Sequence, residues 1–450
     1  MLNIDYETIL PDIEDFIEKQ NDGALLNIIV DMHPADIEEI LNRLKKDERK
    51  YLFHILPTEL ASEVLVELET PIVEQVLRDA SEEKISDLVE EMESDDAADL
   101  VAELPDDVAV KVLDQMEKPA SQEVQQLLHY KEDTAGGIMA LEFIAMPETA
   151  TVNETIERIR EKSDDFDDLY NIWVLDDNNR LSGSVSLKDL VLAKGYTILR
   201  EIMDIDVKSV HVNEDQQEVA NVFSKYDLVS VPVLNDFDQV VGRITVDDIV
   251  DVLEEEGAED LAYLAGAPDE EILEDSTFVL SRARIPWLLV SFIGEIVTAI
   301  ILQSFGATIE SFVAAAFFFP LIMAMGGASG QQASVIVVRG LATGDIIMTD
   351  TFRRLFKEFK VSFLNSLIFS GMSFIIIFLW ESMLFASILS LSMFIVINTS
   401  NLAGALLPFS FKKLNIDPAL ASAPFIATAN DIFGLLIYLS ILTLGLTLFG

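Results

Sequence analysis

Apolar positions recur at i, i+3, i+4 and i+7 through the first part of the chain. Ile37, Ile40, Leu41 and Leu44 form one such stripe, and Ile85, Leu88, Val89 and Met92 another. A period near 3.6 puts these side chains on one face of a helix. Turn and capping chemistry recurs ahead of such stripes, at His33-Pro34-Ala35-Asp36, Leu56-Pro57-Thr58-Glu59, Ser81-Glu82-Glu83, Ser94-Asp95-Asp96 and Leu104-Pro105-Asp106-Asp107. Ser and Asp satisfy free N–H groups at helix starts, where proline is also tolerated. The pattern predicts short helices stacked as hairpins, an all-α superhelical domain over residues 1–130.

The next stretch repeats itself. Val152-Asn153-Glu154 returns as Val212-Asn213-Glu214, and Ile172-Trp173-Val174-Leu175 as Val231-Pro232-Val233-Leu234. The run from Leu181 through Gly183 to Leu190 returns, fifty-nine residues on, from Val240 through Gly242 to Ile249. Each unit reads helix, strand, acidic turn, glycine, strand, helix, so residues 131–254 form an α/β tandem. The pair resembles cystathionine-β-synthase-type (CBS) domains, which generally sense ligands rather than catalyse. In that family a Ser/Thr-x-x-Asp at the second helix often contacts adenosine nucleotides. The matching residues are Ser186 with Asp189 and Thr245 with Asp248. The resemblance makes ATP a candidate ligand, although the same residues also serve as helix caps. An acidic helical linker follows over 255–284, preceded by Asp251 and Glu254 and carrying Glu255, Glu256, Glu259 and Asp260.

From Ile285 onward long apolar runs take over. They predict an α-helical transmembrane domain over 285–450 with five spans, at about 285–305, 311–338, 358–380, 383–409 and 420–448. Arg282 and Arg284 precede the first span. Arg339, Arg353, Arg354, Lys357 and Lys360 lie around the connection from second to third, and Lys412 and Lys413 between fourth and fifth. The other two connections carry only Glu310 and Glu381. The positive-inside rule then predicts cytoplasmic N-terminal domains and an external C-terminus, in a multi-pass protein of the cell (inner) membrane in contact with membrane lipid.

Charge sharpens this division. Of 78 acidic and 30 basic residues, only 8 and 7 fall from Ile285 on, leaving 70 and 23 before it. So acidic a soluble half repels nucleic acid and attracts cations. The absence of cysteine excludes disulfides and thiolate metal sites, and the four histidines lack ligand spacing. The N-terminus has no basic-then-apolar signal pattern.

The chemistry centres on Asp431, a carboxylate with Asn430 beside it inside an otherwise apolar span. A charge at the bilayer centre costs on the order of 3 kcal/mol by insertion scales and persists where it faces water, a partner or an ion. Met325-Gly326-Gly327-Ala328-Ser329-Gly330-Gln331-Gln332 fits small-residue helix packing and also suits a locally loosened helix lining a wet path. With Asn398, Asn401 and Gly404 these residues predict a polar seam running to Asp431. No nucleophile–base pair accompanies them, which argues against an enzyme. On a two-fold homodimer axis two Asp431 side chains would balance one divalent charge. Asp95 and Asp99, one helical turn apart on a shared face, repel unless a cation intervenes or both face solvent. Glu295, inside the first span, is either an ion-facing group or an interface carboxylate.

The domain order, together with Glu132-Asp133-Thr134-Ala135-Gly136-Gly137-Ile138-Met139, Val338-Arg339-Gly340-Leu341-Ala342-Thr343-Gly344, Asn401-Leu402-Ala403-Gly404-Ala405-Leu406-Leu407-Pro408 and Asp431-Ile432-Phe433-Gly434-Leu435-Leu436-Ile437-Tyr438, resembles the MgtE family of magnesium channels. The resemblance implies a homodimer with its pore between protomers, Asp431 as pore carboxylate and Mg2+ as both cargo and regulator. It implies that cytosolic Mg2+ bridges the acidic domains and the linker ("plug") helix and locks the pore shut. The matching positions are Asp95 and Asp99 in the helical domain, Asp215, Asp227, Asp248 and Asp251 in the tandem, and Glu256, Glu259 and Asp260 in the linker. The chain departs from the family pattern at Ala328, Gln331 and Ala423, where asparagines are usual, and at Gln217, where a carboxylate would serve a regulatory site. Asn171 and Leu228 replace aromatics associated with nucleotide binding in some members. A channel or transporter for another divalent cation (Co2+, Mn2+, Ca2+), or a nucleotide-sensing membrane signalling protein, are the alternatives.

Overall fold

The computed structural model describes residues 6–78, 80–163, 168–265, 277–414, 416–420 and 423–449. The chain divides into two compact units, Met1–Leu253 and Glu254–Gly450. The first opens with α1 (Tyr6–Glu18), α2 (Asp22–Ile29), α3 (Pro34–Arg43), α4 (Lys46–Ile55) and α5 (Thr58–Val66). It continues with α6 (Thr70–Leu77), α7 (Glu82–Val89), α8 (Ser94–Glu103), α9 (Asp106–Gln115) and α10 (Lys118–Leu127). The turn motifs start helices as expected: His33 Nδ1 accepts from the Ala35 N–H at 3.3 Å, and Ser81 Oγ from the Lys84 N–H at 3.2 Å. Alternate helices pack together, α3 on α5, α5 on α7, α7 on α9 and α8 on α10, which winds the hairpins into a superhelix. Its core holds both predicted stripes, with only Met92 half-buried.

Ser94 does not cap its own helix. Its hydroxyl accepts from the Leu141 N–H at 2.8 Å and donates to Glu142 at 2.7 Å, which ties the start of α8 to the segment entering the tandem.

The tandem contains two three-stranded sheets built alike. In the first, β1 (Ala145–Pro147) runs parallel to β2 (Asn171–Leu175), which runs antiparallel to β3 (Leu181–Ser186); α11 (Val152–Glu161) makes the crossover and α12 (Leu187–Leu192) follows. In the second, β4 (Val210–His211), β5 (Ser230–Leu234) and β6 (Val240–Thr245) repeat that order, with α13 (Gln216–Tyr226) crossing over and α14 (Val246–Ala265) following. The likeness extends to detail. Register shifts fall at Val174/Leu175 and Val233/Leu234, and Asn179 and Asp238 both take φ 60° in the turns between strands. Asn and Asp tolerate that left-handed conformation better than other non-glycine residues. Residues 266–276, the middle of the expected linker, lie outside the described residues.

The second unit contains α15 (Thr277–Ser304), α16 (Gly306–Ser311), α17 (Phe319–Ala342), α18 (Thr351–Trp380), α19 (Met383–Lys413) and α20 (Ala423–Phe449). Among the described residues five segments are long and apolar enough to cross a membrane: Leu280–Ser304, Val313–Ala342, Met348–Trp380, Met383–Lys413 and Phe425–Leu448. The second is not one α-helix. Val313–Phe318 forms a 3₁₀ turn, because Pro320, in the first turn of α17, would clash with the carbonyl of Ala316 in a continuous helix. Tyr438 holds that turn from α20, its hydroxyl donating to the Ala315 carbonyl at 3.1 Å.

α19 is the central helix, with 61% of its apolar window buried against 11–33% in the other four. It crosses α17 at glycines. A Cβ on Gly404 would run into the Gly330 backbone, and one on Gly326 would lie 2.9 Å from Val396 Cγ1. Only such residues allow two helices to approach to backbone contact. Gly327, on the same helix, has open space where a Cβ would stand. Gly404→Val should therefore lose about 1–3 kcal/mol or fail to fold, whereas Gly327→Ala should match the wild type. Thermal unfolding in detergent checks both; equal Tm values in the two variants would overturn the packing argument.

Candidate functional site

In the first unit, α8 and α14 bring carboxylates together that lie some 150 residues apart in sequence. Asp95 is 6% exposed, with Glu93, Asp96, Glu142 and Asp248 around it. Burial pushes Asp95 well above the usual carboxylate range, and its acidic neighbours push the same way. Burial likewise pushes Asp96 up to about 8, reinforced by Asp248, Asp99, Glu93 and Asp251. Asp248 is raised to about 6 by burial. Its bonds from the Thr245 N–H and hydroxyl, both at 2.9 Å, and the neighbouring Arg243 charge pull the other way. Arg243, 4% exposed, grips Glu93 with Nη2 at 2.7 and 2.8 Å and so orders one edge of the cluster.

The structure thus sets Asp95 beside Asp248, Asp96, Glu93 and Glu142, and places Asp99 and Asp251 near Asp96. Asp95 and Asp99 do not share an environment, since Asp95 is buried and Asp99 exposed. Asp215 and Asp227 stand apart from each other. Asp215 caps α13, accepting from the Gln217 N–H at 3.1 Å, and Asp227 ends that helix at φ 53°. The eleven residues of helix between them hold them about 18 Å apart, too far to share an ion within one chain. The two Ser/Thr-x-x-Asp motifs stand at helix starts: Ser186 Oγ donates to Asp189 at 2.7 Å and accepts from its N–H at 3.1 Å, whereas the Thr245 N–H and hydroxyl both donate to Asp248.

In the second unit, Glu256, Glu259 and Asp260 are half-buried residues of α14. Asp260 is pushed up to about 6 by burial, then by Asp417 and Glu259. Asp417, before α20, caps the short turn Pro418–Leu420 through the Ala419 N–H at 2.8 Å. Nothing in its own sequence surroundings marks Asp417 as a partner of the linker. Nearby, the Tyr263 ring lies 6.3 Å from Trp287, and Trp287 lies 6.4 Å edge-on to Phe425 at the start of the last span.

Asp431, half-buried on α20, lies in hydrogen-bond contact with Glu295 of α15. The helices meet there closely, since a Cβ on Gly294 would collide with Thr428, one turn before Asp431. Two carboxyl groups in contact between apolar helices repel unless a cation or proton lies between them. Asn430 turns the other way, with Nδ2 2.6 Å from where a Gly330 Cβ would stand. Asn430 Nδ2 and Asn401 Oδ1 are both buried and lack hydrogen-bond partners among the described residues. Such orphaned atoms are costly, which marks this meeting of α17, α19 and α20 as a place for water or a ligand.

The expected polar seam is only partly present. Asn401 Nδ2 donates to the Ser329 carbonyl at 3.3 Å. Asn398 faces α18 instead, accepting from Ser362 at 3.0 Å and donating to Ser366 at 2.6 Å, and so acts as a packing element. The loosened helix is also absent: α17 runs unbroken through Met325–Gln332, and its close approach to α19 comes from glycine's small size. Among the described residues no three Asp, Glu or His side chains form a preformed metal cage.

Three family models match: a divalent cation transporter domain (MgtE) over 319–441, the MgtE intracellular N domain over 32–133, and CBS domains over 135–195 and 199–255. A magnesium transporter MgtE from Thermus thermophilus is 34% identical across 97% of this chain and 98% of its own length. A magnesium transporter MgtE from Enterococcus faecalis is 33% identical over 73% of this chain and 72% of its own. Among solved structures, the cytosolic domain of the Mg2+ channel MgtE in complex with ATP is 31% identical with TM-score 0.52, covering 54% of this chain and 99% of that one. With one relative matched at this identity over nearly its whole length, the chain belongs to the MgtE family.

Proposed function

We propose that the chain is a homodimeric Mg2+ channel of the cell membrane, closed by Mg2+ on its cytosolic side. The pairing of Asp431 with Glu295 carries the reading, since a divalent ion between two carboxylates turns repulsion into attraction. Two protomers on a two-fold axis would bring two such pairs to one path. An inside-negative potential favours entry of a divalent ion by about 4.6 kcal/mol per 100 mV. The relatives named as magnesium transporters support Mg2+ over other divalent cations.

Gating follows from the same physics in the soluble half. Asp95, Asp96, Asp99, Asp248 and Asp251 crowd together, and α14 continues through Glu256, Glu259 and Asp260 toward the first span. Without a cation these groups push apart; with Mg2+ they close up, a two-state element biased by the ion it regulates. Asp215 and Asp227, well separated within one chain, would act at other ions or with a partner protomer. The solved neighbour holding ATP supports nucleotide as a second regulator of the CBS pair.

In proteoliposomes, Asp431→Ala should reduce Mg2+ flux to that of protein-free vesicles while the dimer persists. Glu295→Gln should lower it about tenfold, equivalent to about 1.4 kcal/mol. Wild-type flux in either variant removes that residue from the path.

Neutralising Asp248, Asp251, Glu256, Glu259 and Asp260 together should keep flux high at millimolar internal Mg2+. Unchanged inhibition would reduce the acidic face to solvation.

Stability supplies an independent check. The folded-state values of Asp96 and Asp248, about 8 and about 6, exceed an unfolded value of about 3.9. The folded protein therefore binds more protons across that window, and stability falls as pH rises from about 4 to about 8. In chelator the Tm should drop from pH 5 to pH 8, and millimolar Mg2+ should flatten that slope by taking the protons' place. A Tm rising with pH in chelator, or a slope indifferent to Mg2+, would overturn the assignment.

A further inference from the structure

From Ile285 onward the chain has seven basic residues, and four of them converge. Arg353, Arg354, Lys357 and Lys360 line a cavity of about 460 Å³ beside the first turns of α18, together with Phe356. Asp345 and Asp350 also face it, leaving a positive balance in a chain of net charge -48. Arg354 is bound to Glu358, 4% exposed, at 2.5 Å, yet its Nε is buried without a hydrogen-bond partner among the described residues. Arg353, Lys357 and Lys360 form no ion pair among the described residues, and Lys360 Nζ lies 4.5 Å above the Phe356 ring. Four cations therefore converge on a space that only two carboxylates face.

Position identifies the anion. The span that begins at Met348 contains these residues in its opening turns, so the cavity opens at headgroup depth. Phe352, Phe356 and Phe359 stand exposed on the same turns, as aromatic side chains do at a membrane interface. A soluble polyanion is repelled by a chain of 78 acidic and 30 basic residues, whereas a lipid arrives sideways within the leaflet. We propose that this cavity binds the phosphate headgroup of an anionic lipid of the leaflet facing the Lys/Arg loops, with Arg353, Lys357 and Lys360 as its charge partners and Phe356 against its glycerol backbone. Basic pockets beside membrane helices recognise phosphate headgroups in this way. The ligand would brace the start of α18 against the loop from α17, whichever ion the protein conducts.

The test is thermal unfolding of the full-length protein in detergent with added phosphatidylglycerol, phosphatidylcholine or inorganic phosphate. Phosphatidylglycerol should raise the wild-type Tm by a few degrees, saturably, and phosphatidylcholine should not. The triple variant Arg353→Gln, Lys357→Gln, Lys360→Gln should keep the phosphatidylcholine baseline and lose the rise. Should that variant not fold, Lys357→Gln alone, at an exposed position, should require a higher lipid concentration for the same rise. The control Lys412→Gln, Lys413→Gln should respond like the wild type. A full response in the triple variant, or in Lys357→Gln if only that variant folds, would overturn the proposal. So would loss of response in the control, which means general charge attraction, or an equal rise with inorganic phosphate, which means a soluble anion.

Discussion

Repulsion between carboxylates brought into contact is the constraint on which the arrangement turns. It recurs where α8 meets α14, where Asp260 meets Asp417, and where Glu295 meets Asp431. In each place the partners come from distant parts of the chain, and at least one of them is partly or wholly withdrawn from water. A bare set of anions is unfavourable in such surroundings, so each site favours whatever neutralises it. Protons can do so, and so can a divalent ion that takes their place. One physical rule thus serves both the proposed ion path and the proposed sensor.

The scaffold tolerates this crowding because other contacts hold it. In the soluble half Arg243 fixes Glu93, and Ser94 bridges to Leu141 and Glu142. In the membrane half the glycine crossing of α17 and α19 brings backbones together, and Asn398 is satisfied by Ser362 and Ser366. Two of the polar atoms left without partners, on Asn401 and Asn430, lie together near Gly330. Well-satisfied packing around a few unsatisfied groups is the pattern of a ligand path in a bilayer, where irregular polarity survives only beside a cavity or a partner.

Local chemistry was legible wherever short-range periodicity decides structure. The stripes at Ile37–Leu44 and Ile85–Leu88 are core, and the motifs at His33, Pro57 and Ser81 open helices. The tandem repeat extends in the structure to matching turns at Asn179 and Asp238. Asp431 stood out because a lone carboxylate in an apolar run is expensive. Local reading failed where a residue's meaning lies across the fold. Ser94 had the look of a cap and is a bridge, and Asn398 had the look of an ion-path group and is a packing element.

By itself, the sequence determined which segments are helix, strand or membrane span, and which of them carry charge, since these follow from side-chain type and period. Which charges meet was decided by tertiary structure. Glu295 and Asp431 are 136 residues apart, and Asp96 and Asp248 are 152 apart. No periodicity spans such distances. Only the packing of α15 on α20, and the fold that sets Asp248 beside Asp96, select those partners, because electrostatic coupling depends on separation in space and on excluded water rather than on order along the chain.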